Sequence, residues 1–422
     1  MGGAVALGIG GTVGGGVYVL VGVAAGEAGP GVLLAFVFAF LAALSIALPY
    51  AELACRYPLA GGGYAFARHV FGPHWGFVMG WGFWGAYVFI SGYVTLGFGH
   101  YLEVLTGVPA EAGALSVIAA ALFLNLLGVK VAGRAQVVIV AIAVLGLLGF
   151  GLWGLPSVDV GRFDPFFPHG FEGVLAAALL AFLAFGGFDM VAAAGEEVER
   201  PERNLPRAIL ITLGAVLGLY LLVCVVAIGT LSSAALAESS APLAEAALGF
   251  GGERGRGLVV VAALLTTAAT ANAVLVVTSR IAFAMARDGL LPGALASVGL
   301  RSGAPCASLV ANALLLGLVA AAGSVALATS VGGFLYVLHF LPPVVALVAL
   351  RRRAEGGTAF RTPLPCFVVP VALGASALLV FASGAAGALG GLAWLAAGFC
   401  GYRLAIRGPR IAVATTRSSA AP

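Results

Sequence analysis

"GIGGTVGGGVYVLVG", residues 8–22, places seven glycines in fifteen positions inside a run otherwise apolar enough to cross a bilayer. Glycine costs about 1 kcal/mol relative to alanine in a helix interior, yet Gly14, Gly15 and Gly16 stand consecutively near the middle of this run. One glycine serves the close approach of two membrane helices, but three in a row occupy every face, so packing on one side does not account for them. The stretch reads as a membrane helix broken at its centre.

The chain around it supports a membrane setting. Only 9% of its 422 residues are Asp, Glu, Lys or Arg, 61% are hydrophobic, and the mean hydropathy is +1.10, whereas soluble domains carry about a quarter charged residues. Apolar runs of helix-spanning length recur throughout, and the short, strictly alternating segments of an outer-membrane barrel do not, which excludes that architecture. The expected fold is an all-α integral membrane protein with about 12 transmembrane helices, at roughly 4–25, 30–54, 75–101, 112–128, 132–155, 172–197, 206–231, 257–285, 306–322, 325–350, 367–384 and 387–405. Residues 1–405 form a single transmembrane domain, and 406–422 are a basic tail, read as disordered and cytoplasmic.

Charge placement tests that count. With the N-terminus inside, 18 of the 21 Lys and Arg residues fall in inner loops or the tail, and only Arg162, Arg254 and Arg256 fall outside. This is the asymmetry of a cytoplasmic (plasma) membrane protein with both termini cytoplasmic. The net charge of +4 thus belongs to loops beside the lipid bilayer and not to a face for nucleic acid. The five cysteines, Cys55, Cys224, Cys306, Cys366 and Cys400, are scattered and odd in number, so they read as small packing residues rather than a disulfide framework or a metal site. With no basic region before it, the first apolar segment reads as a retained span and not a cleaved signal.

A second interruption stands in "LLAFLAFGGFDMVAAAGEEVERPERNLPRAI", where Gly186, Gly187 and the ionisable Asp189 fall inside the sixth span, five helices after the first. Two glycine-interrupted spans at matching places of two five-helix halves point to an inverted-repeat transporter with its site at the breaks. The first repeat covers about 1–155 and the second about 165–350, followed by helices 11 and 12 at about 367–405. Unwinding the first helix frees amides at about Gly14 to Val17, where the positive end of a helix dipole favours a carboxylate. Unwinding the sixth frees carbonyls from about Leu183 to Gly186, which accept from an ammonium group. Donors on one side and acceptors on the other suit a zwitterion, and glycine lets it approach the backbone closely.

At these residues the chain resembles the amino acid-polyamine-organocation superfamily of permeases. Three stretches carry the resemblance: residues 8–22, "YAELACRYPLAGGGYAFARHVFG" at 50–72 and "AFGGFDMVAAAGEEVERPERNLPRAI" at 184–209, with a weaker fourth, "SRIAFAMARDGLLP", at 279–292. Within the superfamily the chain looks most like the cationic amino acid transporter branch. The resemblance implies a five-plus-five inverted repeat of the leucine-transporter-like kind, with helices 1 and 6 broken and two extra helices. It also implies a carboxylate-binding segment at Thr12, Gly14, Gly15 and Gly16 and amine-binding carbonyls at Leu183, Ala184 and Gly186, with Phe185 and Phe188 lining or covering the substrate. In relatives that work without sodium, a lysine about fifteen residues after "GVK" stands in for the ion; here Ala143 holds that position. A sodium ion would then draw on hydroxyls such as Thr266, Thr267 or Thr270 of the eighth span, although threonines in membrane helices also bond their own backbone.

Three further groups are coupling or gating candidates. Asp189, the one carboxylate deep inside a span, fits proton exchange or a cap on the second half-helix. His339, well inside the tenth span, fits a proton relay or a packed, hydrogen-bonded ring, and Pro342 and Pro343 beyond it should kink that helix. Glu52, with Glu196, Glu197, Glu199 and Glu202 among the arginines after helix six, fits inner-face ion pairs or a solvated loop. No P-loop, metal-ligand spacing or nucleophile constellation is present, so neither ATP nor an enzymatic reaction is expected. The expected activity is secondary active transport of amino acids by alternating access, coupled to a proton rather than sodium and needing no cofactor. The alternatives are an amino acid exchanger without ion coupling and a non-transporting sensor that binds amino acids.

Overall fold

Glycine and proline decide where helices stop in this chain, and the apolar residues between them decide how they pack. The computed structural model describes residues 2–57, 62–127, 133–189, 198, 200–299, 304–352 and 360–407. Among these the regular structure is helical throughout, with no strand. The helices are α1 Gly2–Thr12, α2 Gly16–Ala28, α3 Val32–Arg56, α4 Gly62–Phe71, α5 Pro73–Thr106, α6 Ala110–Leu126, α7 Gly133–Gly154 and α8 Gly170–Ala184. After the second interruption come α9 Pro201–Thr230, α10 Ser233–Glu238, α11 Pro242–Arg287, α12 Cys306–Ala321, α13 Val325–Leu338, α14 Leu341–Arg352, α15 Pro365–Ala382 and α16 Gly384–Arg407.

Eight helical stretches among the described residues are long and apolar enough to cross a membrane by length and composition, and Ala110–Leu126, Gly170–Ala184 and Cys306–Ala321 are shorter apolar helices. The departures from twelve separate spans have local causes. The first expected span is split into α1 and α2 by the glycine run, and α2 passes through a 3-10 turn at Gly29–Gly31 into α3, making one 41-residue stretch from Gly16 to Arg56. Gly29 turns there at φ 59° with Pro168 close against it, where a Cβ would lie 2.4 Å from the proline ring. The expected kink of the tenth span is a full interruption: α13 ends at Leu338, and α14 restarts at Leu341 with Pro342 and Pro343 in its first turn, where proline's missing N–H costs nothing. The basic tail lies outside the described residues from 408 onward.

Packing separates an enclosed set of helices from a lipid-like exterior. Ten of the thirteen residues of α2 are buried, as expected of a helix that is apolar on all faces. α2 lies mainly against α8, α3 against α8 and α9, α1 against α9, and α5 against α11 and α13. On the outside, Phe381 is 77% exposed and Leu318 and Leu389 are 70% exposed. Such large apolar residues facing outward on helix after helix would be costly in water and are at home in hydrocarbon. Cys224 is buried, whereas Cys366 and Cys400 are exposed.

Candidate functional site at the two helix breaks

The first break follows from its glycines. α1 ends at Thr12, Val13 N–H donates to Ile9 O (2.6 Å), and Gly14 N–H turns back to Thr12 O (2.8 Å) before α2 begins at Gly16. Gly15 N–H donates to Thr270 Oγ1 of α11 (3.0 Å). A Cβ on Gly14 would lie 2.9 Å from Thr270 Oγ1, and one on Gly15 would lie 2.6 Å from Thr267 Cγ2 and 3.1 Å from Thr267 Cα. Gly16 looks the other way, its Cβ position 3.5 Å from Tyr93 Oη and 3.6 Å from Ala184 Cα. Breakage and close packing therefore coexist, with two glycines admitting α11 and the third admitting the second break. Of the amides expected to be open for a ligand, those of Gly14 and Gly15 already have partners in the protein. Those of Gly16 and Val17 open α2, where no carbonyl of the same helix precedes them.

The second break is tighter. α8 ends at Ala184, Phe185 N–H is shared between Ala181 O and Phe182 O (3.1 Å each), and Gly186 N–H returns to Leu183 O (3.0 Å). Gly187 then turns at φ 120°, and a Cβ there would lie 2.3 Å from Gly11 O and 2.7 Å from Thr12 N. Only glycine can adopt that backbone and leave that space. The two breaks thus touch backbone to backbone.

Aromatic residues pack around the second break. Phe185 is buried with its ring against Phe36 and Phe40 of α3 (centroids 6.3 Å from each) and Tyr220 of α9 (5.6 Å). Phe188 stacks on Phe340, between α13 and α14, at 5.2 Å and 18°. Tyr220 is fully buried, and its hydroxyl lies 2.9 Å from Thr12 O and 3.1 Å from Ala184 O, one carbonyl from each break. Thr12 Oγ1 is buried beside them with no hydrogen-bond partner among the described residues.

Asp189 lies just past the second break and is 3% exposed. Tyr87 Oη of α5 donates to its Oδ2 and Tyr336 Oη of α13 to its Oδ1, both at 3.2 Å, and Gly187 N–H also donates to Oδ1 (3.2 Å). Among the described residues no basic side chain forms an ion pair with this carboxyl. The amides that a cap at Asp189 would serve, 190–192, lie outside the described residues. His339 is buried between Phe83, Tyr336 and Phe340, with Nδ1 2.5 Å from Tyr336 O. Its Nε2 is buried with no partner among the described residues. Thr266, Thr267 and Thr270 each donate to the carbonyl four residues back, at 2.7, 2.6 and 2.8 Å. That is the back-bonding pattern of membrane threonines. Ala143 is buried in α7.

The acidic groups expected at the inner face divide. Glu52 is 1% exposed and takes both Nε (3.2 Å) and Nη2 (2.5 Å) of Arg351, with Thr362 N–H on Oε2 (2.7 Å), joining the ends of α3 and α14 to the segment before α15. Glu202 is exposed in the first turn of α9, while Glu196, Glu197 and Glu199 lie outside the described residues. A second network, absent from the expectations, ties α4 to the turn after α11: Arg68 pairs with Asp288, and Tyr64 Oη donates to the same carboxylate (2.6 Å). Burial, and then the Asp288 carboxylate, push the Tyr64 phenol above its ordinary range. A cavity of about 430 Å³ lies apart from the breaks, lined by apolar residues such as Trp75, Met79 and Pro342 together with His339.

Four tyrosines that no sequence motif marks lie against the break segments. Tyr87, Tyr93, Tyr220 and Tyr336 are all buried in apolar helices, and a buried phenol needs a hydrogen-bond partner. That requirement was visible in the sequence, but not the identity of the partners.

Comparison with known proteins places these features in a family. The family model described as amino acid permease matches residues 3–350. The chain is 33% identical over 313 residues to the branched-chain amino acid permease BcaP of Bacillus subtilis, covering 69% of this chain and 67% of that protein. It is 31% identical over 425 residues to the methylthioribose transporter of the same organism, covering 94% and 91%. It is 35% identical over 344 residues to human cationic amino acid transporter 4, covering 74% of this chain and 53% of that protein.

Proposed function

Because this chain belongs to the amino acid permease family, whose members are membrane transporters and not enzymes, we propose that it is a secondary active transporter that moves amino acids by alternating access, with the two helix breaks as its substrate site. The observation that carries this reading is the backbone contact at Gly187, which brings the end of α8 against Gly11 and Thr12. A ligand's carboxylate would take the first amides of α2, at Gly16 and Val17, and its ammonium the carbonyls around Ala184 to Gly186. The full proposal is a twelve-helix, five-plus-five inverted repeat in the cytoplasmic membrane with both termini inside. Helices 1 and 6 rock with their bundle against a scaffold.

We favour a proton over sodium as the coupling ion. Asp189 is a buried carboxyl held by two phenols without a cationic partner among the described residues, which suits a group that gains and loses a proton. Of the threonine oxygens offered for sodium, that of Thr270 already accepts Gly15 N–H. A second reading comes from the methylthioribose transporter, which matches nearly the whole chain: the substrate is then a small polar solute without the amino acid head group.

Both readings meet one test. Purified protein in proteoliposomes is offered radiolabelled amino acids and methylthioribose, with proton and sodium gradients imposed separately and with or without amino acid inside. Uptake of an amino acid that follows the proton gradient is the expected result. Uptake only against preloaded amino acid would make it an exchanger, uptake of methylthioribose alone would select the second reading, and binding without flux would make the protein a sensor.

A further inference from the structure

We propose that Tyr220 is a positioning residue whose single hydroxyl ties the two helix breaks together and keeps them in register as one substrate site; its functional part rests on the reading of the breaks given above. Thr12 is the last residue of α1 and Ala184 the last of α8, so each carbonyl belongs to a helix end that lacks its i+4 donor. Both carbonyls point to one phenol on a third helix, at 2.9 and 3.1 Å. Thr12 O also receives Gly14 N–H (2.8 Å), so the turn that forms the first break and the tie to the second meet on one oxygen.

The phenol is held from both sides. Phe36 of α3 packs edge-on to the Tyr220 ring at 5.6 Å and 76°, and Phe185, inside the second break, packs on it at 5.6 Å and 56°. The ring cannot swing away without moving Phe185 and the break with it. A phenol carries one proton, so the two carbonyls share a single donor, and neither is satisfied by Tyr220 independently of the other. A shift of one break alone stretches the bond to one carbonyl and hands the proton to the other. The breaks are therefore held most strongly when they move as a pair, which is what a site built half on each requires. Ala184 O keeps a second lone pair, and that is one of the acceptors proposed for the ligand's ammonium group.

Tyr220→Phe keeps the ring between Phe36 and Phe185 and removes only the tie. Thr212→Val is the control: Thr212 lies on the same helix, is fully buried, and its hydroxyl has no hydrogen-bond partner among the described residues. Hydrogen exchange followed by mass spectrometry reads the tie without reference to any substrate. Tyr220→Phe is expected to speed exchange in both break segments, 9–17 and 183–189, while the rest of α9 and the Thr212→Val protein exchange as the wild type does. Affinity for the amino acid found in the uptake panel should fall about tenfold, the scale of one hydrogen bond to a buried acceptor.

Unchanged exchange in both segments, or faster exchange in only one, overturns the tie. So does amino acid affinity within about twofold of wild type in the Tyr220→Phe protein, a difference worth less than one ordinary hydrogen bond. Should Tyr220→Phe fail to fold, the wild type decides instead: a bound amino acid must slow exchange in both segments together, and slowing in one alone overturns the proposal. A wild type that binds no amino acid at all overturns the transport reading, and the exchange comparison then still decides the tie separately.

Discussion

The two helix breaks reach the same end by different means. In the first, three consecutive glycines let a neighbouring helix in: Gly14 and Gly15 lie against Thr270 and Thr267, and Gly15 N–H is satisfied by Thr270 Oγ1. In the second, Gly187 at φ 120° turns the chain over the backbone of the first break, and it and Gly186 are flanked by the aromatic Phe185 and Phe188 and the acidic Asp189. The first break is a fit to α11; the second is a fit to the first. The shape of the proposed site therefore depends most on Gly187, which joins the second break to the first.

The largest effect should come from that residue. Gly187→Ala puts a methyl group 2.3 Å from Gly11 O and demands a backbone angle that L residues avoid, a strain of about 1–3 kcal/mol before the clash is counted. Uptake should be abolished, and the protein, assayed by thermal unfolding in detergent, should be clearly less stable. Normal uptake would show that the breaks need not touch.

Next come the two valine variants that separate the faces of the first break. Gly15→Val overpacks against Thr267, at about 1–3 kcal/mol, so it should lose both uptake and melting temperature. Gly16→Val faces Tyr93 and Ala184 at ordinary contact distance for its first carbon, so it should lose uptake while reaching the membrane and keeping most of its stability. Equal stability losses in the two would erase the distinction between the face toward α11 and the face toward the second break.

Away from the breaks, Glu52→Gln leaves the Arg351 guanidinium without its carboxylate at a site where Glu52 itself is almost wholly buried. Breaking this pair should cost about 2 kcal/mol, read as a lower melting temperature with amino acid affinity unchanged. An affinity loss as large as that of Gly16→Val would make the Glu52–Arg351 pair part of the proposed site. The smallest effect is expected of Thr270→Val, which deprives Gly15 N–H of its acceptor at about 1 kcal/mol. Uptake should fall severalfold, and an unchanged rate would mean that the first break holds its shape without α11.

These contrasts also mark how far the sequence could be read. The positions of both breaks were legible because glycine acts locally: its cost in a helix and its tolerance of positive φ need no knowledge of neighbours. Asp189 was legible because a carboxylate in an apolar run is rare, and the kink at Pro342 and Pro343 because proline ends helices by itself. Membership in the permease family was legible in the three glycine- and charge-bearing stretches. The ties were not. Gly15 meets Thr270 across 255 residues, Glu52 meets Arg351 across 299, and Tyr220 meets Thr12 across 208. Nothing in a local pattern pairs such residues, since each is set by how whole helices pack. Three predicted glutamates after the second break, Glu196, Glu197 and Glu199, lie outside the described residues, while Glu52 pairs with an arginine at the end of α14.

The most direct test of the central claim is an electron cryomicroscopy structure of the protein with its transported amino acid bound. The account predicts ligand density between the breaks, with the carboxylate at the amides of Gly16 and Val17 and the ammonium at the carbonyls between Ala184 and Gly186. Density elsewhere, for instance in the apolar cavity beside His339, with the space between the breaks empty, would contradict it.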